Sequence, residues 1–331
     1  MLRTASIGLG WWSDELAKSI QGRSERIGIV SCSSRSADRR AVFAERFGTA
    51  QHDSYEAVLA DPDIDAVILT TPHSLHAAHI EQAAAAGKHV FVEKPMTLTA
   101  ASGRAAAAAC ARAGVVLAVG HNRRFAPAAA ALKRMMEAGE FGTVLHLEAN
   151  FSAAGALSYT PDRWRANRVE SPGGGLTGLG IHMIDLLCWL AGPVAQLSAQ
   201  SKRRAATVDI DDTTSAIMEF AAGPTGYLGT VFASPKTTFL NVYGTDANAF
   251  ADIDGDTLRV HVAGDAAAQA RDIETVDTLH AELEAFATSC LDGTDLWIEP
   301  TEAVHAVAVM EAMVESAAQG GQPVRPDRDG D

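Results

Sequence analysis

Through the first 121 residues, apolar runs of strand length alternate with segments of helix length, and few architectures accommodate that rhythm. The candidate strands are Thr4 to Leu9, Ile27 to Ser33, Ala66 to Thr71, His89 to Glu93 and Val115 to Gly120. Between them lie alanine-rich or amphipathic stretches, Ala37 to Phe47, Ser74 to Ala86 and Ala100 to Ala113. Strands so rich in Val, Ile and Leu need cover on both faces, so the alternation predicts βαβ units around a parallel, doubly wound sheet. The alanine runs read as helix, because alanine is the best helix former and packs closely on a sheet.

After Phe125 the pattern changes. A helix over Pro127 to Ala138 leads to a strand from Thr143 to Phe151, a polar Gly/Pro-bearing stretch to Gly175, and a helix beginning near Gly180. Strand-like runs then follow one another without helices between them: Thr214 to Phe220, Thr225 to Phe232, Thr238 to Tyr243 and Leu258 to Val262. Sequential strands predict a second, α+β domain with a largely antiparallel sheet. Two helices, Asp277 to Cys290 and Thr301 to Ala317, close the chain, and the expected domains are 1–122 and 123–331.

Charge narrows the partners. Twenty-seven basic against forty-one acidic side chains give a formal net charge of −14 in 331 residues, which repels a polyanion and leaves no basic run to override the repulsion. Nucleic acid is therefore excluded as an expected partner. Cys32, Cys110, Cys188 and Cys290 are scattered and read as small core residues of a reduced compartment, with no disulfide or metal framework. No apolar run has the length of a membrane span, and the N-terminus lacks the features of a signal peptide, so a cytoplasmic location is expected.

Four motifs carry chemistry. Gly8 and Gly10, after a strand and before a helix, would let the backbone pass close to a pyrophosphate at the helix N-terminus. Ser13 stands at the third glycine position and is small enough for it. Of Trp11 and Trp12, one is expected as a hydrophobic anchor beneath this loop and one as an aromatic wall against the cofactor. The second strand ends in Cys32-Ser33-Ser34-Arg35-Ser36, with no carboxylate to hold a ribose 2′-hydroxyl. Ser34 and Arg35 offer donors for a 2′-phosphate instead, which favours NADP with NAD as the alternative.

His73, His76 and His79 recur at steps of three, which drift around a helix axis and do not converge on one metal ion. His73 and His76 are better read as polar groups lining the crevice at the strands' carboxyl ends. In Phe91-Val92-Glu93-Lys94-Pro95, the proline restricts the chain so that the lysine is held at the end of a parallel strand. Such an ammonium can donate a hydrogen bond to a hydroxyl as it becomes an alkoxide or carbonyl. In the stretch 161–165, Trp164 offers a stacking face for a ring and Arg165 a partner for a carboxylate. Gly173 to Gly175 would let that loop move.

GLG after the first strand, TPHSLH after the third, AGKHVFVEKP at the fourth, GHNRRF at 120–125 and GGGLTGLGIHMIDLL at 173–187 together resemble the Gfo/Idh/MocA oxidoreductase family. EAGEFGTV at 137–144 and NVYGTDA at 241–247 extend the likeness over nearly the whole chain. The resemblance implies a Rossmann domain followed by a domain with an open sheet that binds substrate and builds homo-oligomers, dimers or tetramers. It implies hydride transfer between NAD(P) and a carbinol of a sugar, an inositol or a related cyclic alcohol. It places Lys94 and His182 in catalysis, Thr71, Pro72, His76, Glu93 and again Lys94 at the cofactor, and Arg124 and Asp185 at the substrate. Many members carry an aspartate four residues before the histidine, where this chain has Gly178. That departure keeps two alternatives open: a cis-dihydrodiol dehydrogenase, and a cofactor-bound ligand-binding protein without turnover.

Overall fold

A computed structural model describes residues 1–327. The chain divides into two compact units, the first made of Met1–Asn122 and Asp277–Val304, the second of Arg123–Val276 with the C-terminal residues from His305.

In the first unit six parallel strands form one sheet: β1 (Leu2–Ile7), β2 (Ile27–Ser33), β3 (Ala50–His52), β4 (Ala66–Leu69), β5 (His89–Glu93) and β6 (Leu117–Gly120), in the order β3-β2-β1-β4-β5-β6. Helices α1 (Trp11–Ile20), α2 (Ala37–Phe47), α3 (Tyr55–Ala60), α4 (His76–Ala85) and α5 (Ala100–Ala113) connect them. All residues of β4 are buried, as its Ala-Val-Ile-Leu sequence requires of a strand covered on both faces. Ser36, Ser54 and Thr99 set the starts of α2, α3 and α5, each accepting the N–H of the residue three positions on. The strand order reverses between β1 and β4, the point at which open α/β sheets bind ligands at the strands' carboxyl ends.

The second unit contains α6 (Pro127–Glu137), β7 (Val144–Ser152), α7 (Ile181–Ala191), β8 (Val194–Lys202), β9 (Thr213–Phe220), β10 (Thr225–Val231), β11 (Thr237–Gly244), β12 (Ala247–Asp252), β13 (Thr257–Val262) and β14 (Gln269–Arg271). Its eight strands run in the order β14-β13-β12-β11-β7-β10-β9-β8, antiparallel except for the parallel pair β7 and β10. Leu147, Ala149 and Phe151 alternate inward along β7 against buried apolar residues of α6 and α7. Helix α7 is apolar nearly all round and buried except at Cys188 and Trp189, so its His182 and Asp185 are polar groups inside a core.

Helix α8 (Thr278–Asp292) returns to the first unit, where Leu283, Phe286 and Ala287 join the core around Leu16, Ile20 and Phe91. The expected single division at residue 122 thus gains a second crossing, because the apolar stripe of α8 completes the first sheet's cover. The last helix, α9 (Pro300–Ala318), has its residues to Val304 in the first unit and the rest in the second. Among the described residues, no helix is long and apolar enough to cross a membrane.

Candidate active site

Gly8 leaves β1 with φ +88°, and a Cβ there would lie 3.0 Å from the Thr70 carbonyl carbon and oxygen and from Thr71 Cγ2. Only glycine permits this close passage at the sheet's reversal point. Gly10 then opens α1, its N–H donating to Ser13 Oγ (2.9 Å) while the Ser13 hydroxyl donates to the Gly10 carbonyl (2.7 Å). Serine at the third glycine position is buried, and its hydroxyl also locks the turn. The tryptophans separate: Trp12 packs on the core, whereas Trp11 is 72% exposed. Trp11 lines a cavity of about 390 Å³ together with Gly10, Asp38, Arg39 and Phe43.

Ser34 and Arg35 follow β2. The Arg40 guanidinium donates to the Ser34 carbonyl (2.5 Å), fixing the path of this loop, and Arg35 is exposed. Arg39, on the cavity wall, is a second cation that the sequence reading did not single out; the signal was the paired arginine in Ser36-Ala37-Asp38-Arg39-Arg40.

Lys94 stands directly after β5, half-buried, and the Lys94–Pro95 peptide is cis. Glu93 is buried, and its Oε2 accepts the Lys94 N–H at 3.3 Å. His76 is wholly buried, with Nδ1 2.9 Å from the Pro95 carbonyl and Nε2 3.0 Å from the Thr71 carbonyl. His73 and His76, expected to line a crevice, are both buried, and the His76 ring ties the loop after β4 to the Lys94–Pro95 turn through backbone carbonyls. His76 thereby supports the loop Thr71-Pro72. His79 turns elsewhere, its ring 4.6 Å from that of Tyr55, and burial lowers its pKa. Among the described residues no three His, Cys, Asp or Glu are grouped to hold a metal ion.

In the second unit, α7 is preceded by a π-helical turn, Leu176–Gly180, a wide turn frequent at functional sites. His182 follows it, 6% exposed, with its ring 6.0 Å from that of Phe151. Gly178 lies on the π turn, and a Cβ built on it would meet no atom within 4 Å; its φ lies outside the left-handed region. The backbone therefore does not demand glycine here.

Arg124 and Asp185 occupy each other. Both are 1% exposed, and the guanidinium donates to both carboxylate oxygens, Nε to Oδ2 at 2.9 Å and Nη2 to Oδ1 at 2.8 Å. These two residues, expected at the substrate, form a buried, bidentate ion pair that anchors α7 to the segment before α6. The loop carrying Trp164 and Arg165 is likewise engaged with itself, the Arg165 guanidinium lying 4.3 Å over the Trp164 ring. One face of that indole is covered by the cation expected to bind a carboxylate.

The triple glycine packs tightly. Gly174 has φ +58°, and a Cβ there would fall 1.8 Å from the Asp211 carbonyl oxygen. Arg168 clamps Asp211 with two hydrogen bonds, 2.9 and 3.0 Å, tying the loop ahead of the glycines to the same residue against which Gly174 packs.

Residues 2–121 match the family model described as "Oxidoreductase family, NAD-binding Rossmann fold", and residues 129–250 match the GFO/IDH/MocA C-terminal domain. A solved structure of a candidate NADPH-dependent oxidoreductase from Desulfitobacterium hafniense DCB-2 superposes with a TM-score of 0.91 at 33% identity, covering 98% of this chain and 97% of that one. A D-xylose 1-dehydrogenase (NADP(+)) of Haloferax volcanii is 27% identical over 328 residues, 97% of each chain. A trans-1,2-dihydrobenzene-1,2-diol dehydrogenase of Mus musculus is 30% identical over 216 residues, 64% of this chain and 63% of its own length.

Proposed function

Because the chain belongs to the Gfo/Idh/MocA oxidoreductase family, we propose that it moves hydride between NADP and a secondary alcohol or ketone of a sugar, an inositol or a similar cyclic polyol. It is an NAD(P)-dependent oxidoreductase of CH–OH groups, and the substrate within that class and the preference for NADP are our reading.

One observation carries the assignment: Lys94 sits at the carboxyl end of a buried parallel strand in a turn held by Glu93 and His76. A cation so placed is preorganised to stabilise a developing alkoxide. The turn from Gly8 to Gly10, which brings bare backbone to the start of α1, suits a pyrophosphate, and Ser34 and Arg35 suit the adenosine 2′-phosphate of NADP. When bound, the nicotinamide supplies the hydride acceptor or donor. Lys94 donates a hydrogen bond to the reacting oxygen, and His182 accepts its proton during oxidation, a role suited to imidazole near neutral pH.

A second reading has its own support. The open space over Gly178 suits a flat ring, and the mouse diol dehydrogenase relative makes a dihydrodiol of an aromatic ring the alternative substrate. Assembly as a dimer or tetramer belongs to the same proposal: β9 alternates buried with outward residues, leaving Ile217 66% exposed on the uncovered face. Steady-state assays with NADP(H) and NAD(H) across sugars, inositols and dihydrodiols test the assignment. Turnover of the polyols with NADP supports it, turnover confined to dihydrodiols selects the second reading, and binding without turnover of any of them removes both.

A further inference from the structure

The first unit buries a carboxyl group that neither touches the reacting atoms nor was assigned a role in the proposed hydride transfer. Glu282 on α8 is 4% exposed, and neither carboxylate oxygen meets a hydrogen-bond partner among the described residues. An ionised carboxylate in that setting would be very costly, so the group is held as the neutral acid.

Its position follows from the direction of α8, which runs against the strands: its start, Thr278, meets Asn122 beyond the end of β6 (2.9 Å), and its end, Asp292, meets Arg26 ahead of β2 (2.6 Å). The rings of Phe286 and Phe91 pack with centroids 5.7 Å apart. One helical turn, about 6 Å, separates Phe286 from Glu282. Two strand residues, about 6.6 Å, separate Phe91 from Glu93 on the same face of the sheet. The phenylalanine pair thus brings the two glutamates together. Gly120, at the end of β6, gives Glu93 its place, since a Cβ there would lie 2.8 Å from Glu93 Oε1. Burial, then repulsion from Glu93, raise the Glu282 carboxyl well above the usual range, and attraction to Lys94 does not reverse this.

We propose that Glu282 is a positioning residue for Lys94: as a buried neutral acid packed beside Glu93, it keeps the pair at a single negative charge and holds the Glu93 carboxylate on the Lys94 N–H. Two buried carboxylates would draw the ammonium inward as their counter-ion, away from the reacting oxygen. The proposal rests on Lys94 serving as the donor to that oxygen.

Two measurements on the full-length protein test it. Infrared spectroscopy at neutral pH should show a protonated-carboxyl C=O band that disappears in Glu282→Gln and persists in Lys94→Ala. In kinetics, Glu282→Gln, neutral and of the same shape, should keep kcat within about threefold, whereas Glu282→Ala should lower kcat about tenfold or more with little change in the KM for NADP. Absence of the band, a Gln variant as impaired as the Ala variant, or an Ala variant with normal kcat would each overturn the proposal. If Glu282→Ala does not fold, the band and the Gln variant still decide. The two readings fail separately: normal turnover by Lys94→Ala removes the donor role while leaving the band in place.

Discussion

The turn after β5 and the turn into α7 carry the two residues assigned to chemistry, Lys94 and His182, and they are built in opposite ways. The turn that carries Lys94 is held through backbone groups: Gly8 passes against Thr70, the His76 ring bridges the Thr71 and Pro95 carbonyls, and the Glu93 carboxylate takes the Lys94 N–H. Around His182 the charges are satisfied away from the turn, in the Arg124–Asp185 pair, and Gly178 leaves space that no side chain fills. The first arrangement has little room to vary without losing the cofactor loop. On the proposed function, the second would let the substrate change while the helix that carries the imidazole stays put.

The largest effect expected from this contrast concerns stability. Asp185→Ala leaves the Arg124 guanidinium buried without its carboxylate, which should cost about 3 to 5 kcal/mol in urea unfolding. The double replacement Arg124→Met with Asp185→Leu should recover most of that loss, because the desolvation cost goes with the charges. A single variant of unchanged stability with a raised substrate KM would break the comparison, returning Asp185 to the substrate.

Chemistry comes next. Lys94→Ala and His182→Ala should each lower kcat by roughly a hundredfold or more, with NADPH binding retained in a fluorescence titration. Equal losses would show that the rigid turn and the adjustable one contribute alike to the transition state. Normal turnover of His182→Ala across pH would leave α7 with a structural role only.

Much of the first unit could be read directly because local and global preferences agree there. The run Ile27 to Ser33 is β2, and the helices 37–47 and 100–113 stand where their Ser36 and Thr99 caps begin them. The three-residue β3 and six-residue α3 lie in a segment too short for either period to show. β8 and β12, Val-Ala-Gln-Leu-Ser-Ala-Gln-Ser-Lys and Ala-Asn-Ala-Phe-Ala-Asp, carry alanine and amides in place of the β-branched residues that mark a strand. The π turn has no compositional sign. His76, Arg124 and Asp185 were recognisable as residues of interest from their motifs, but their roles depend on partners up to 61 residues away. Glu282 shows in sequence only as one glutamate of an amphipathic helix; its burial depends on the Phe286–Phe91 packing.

Cofactor choice is the third, smaller test. Arg35→Ala removes a charged donor at the end of β2 and should weaken NADP by about 1.5 to 3 kcal/mol, roughly tenfold to a hundredfold in Kd, while NAD changes little. Isothermal titration with both cofactors reads this directly. Equal losses for both would move Arg35 from the phosphate to the loop's structure. Tighter NAD binding by the unmodified protein would reverse the preference and turn attention to Asp38, which lines the cavity with Gly10 and Trp11.

The smallest expected effect is the most informative about substrate. Gly178→Asp adds a side chain where a Cβ meets nothing within 4 Å and where the backbone is not left-handed, so the variant should fold with unchanged stability. Any change in activity then reports on the space itself, free of strain. If that space is kept for the substrate ring, the carboxylate should lower kcat/KM on the true substrate by about tenfold, near 1.4 kcal/mol, while sparing or improving a smaller polyol. If the glycine instead marks a relay that has lost its carboxylate, the unmodified protein should turn over no ring alcohol and the variant should gain activity. One panel of cyclic alcohols, measured with both forms, separates these cases. Activity confined to Gly178→Asp would sink the enlarged-pocket reading, and activity mainly in the unmodified protein would make the empty π turn the determinant of which ring is accepted.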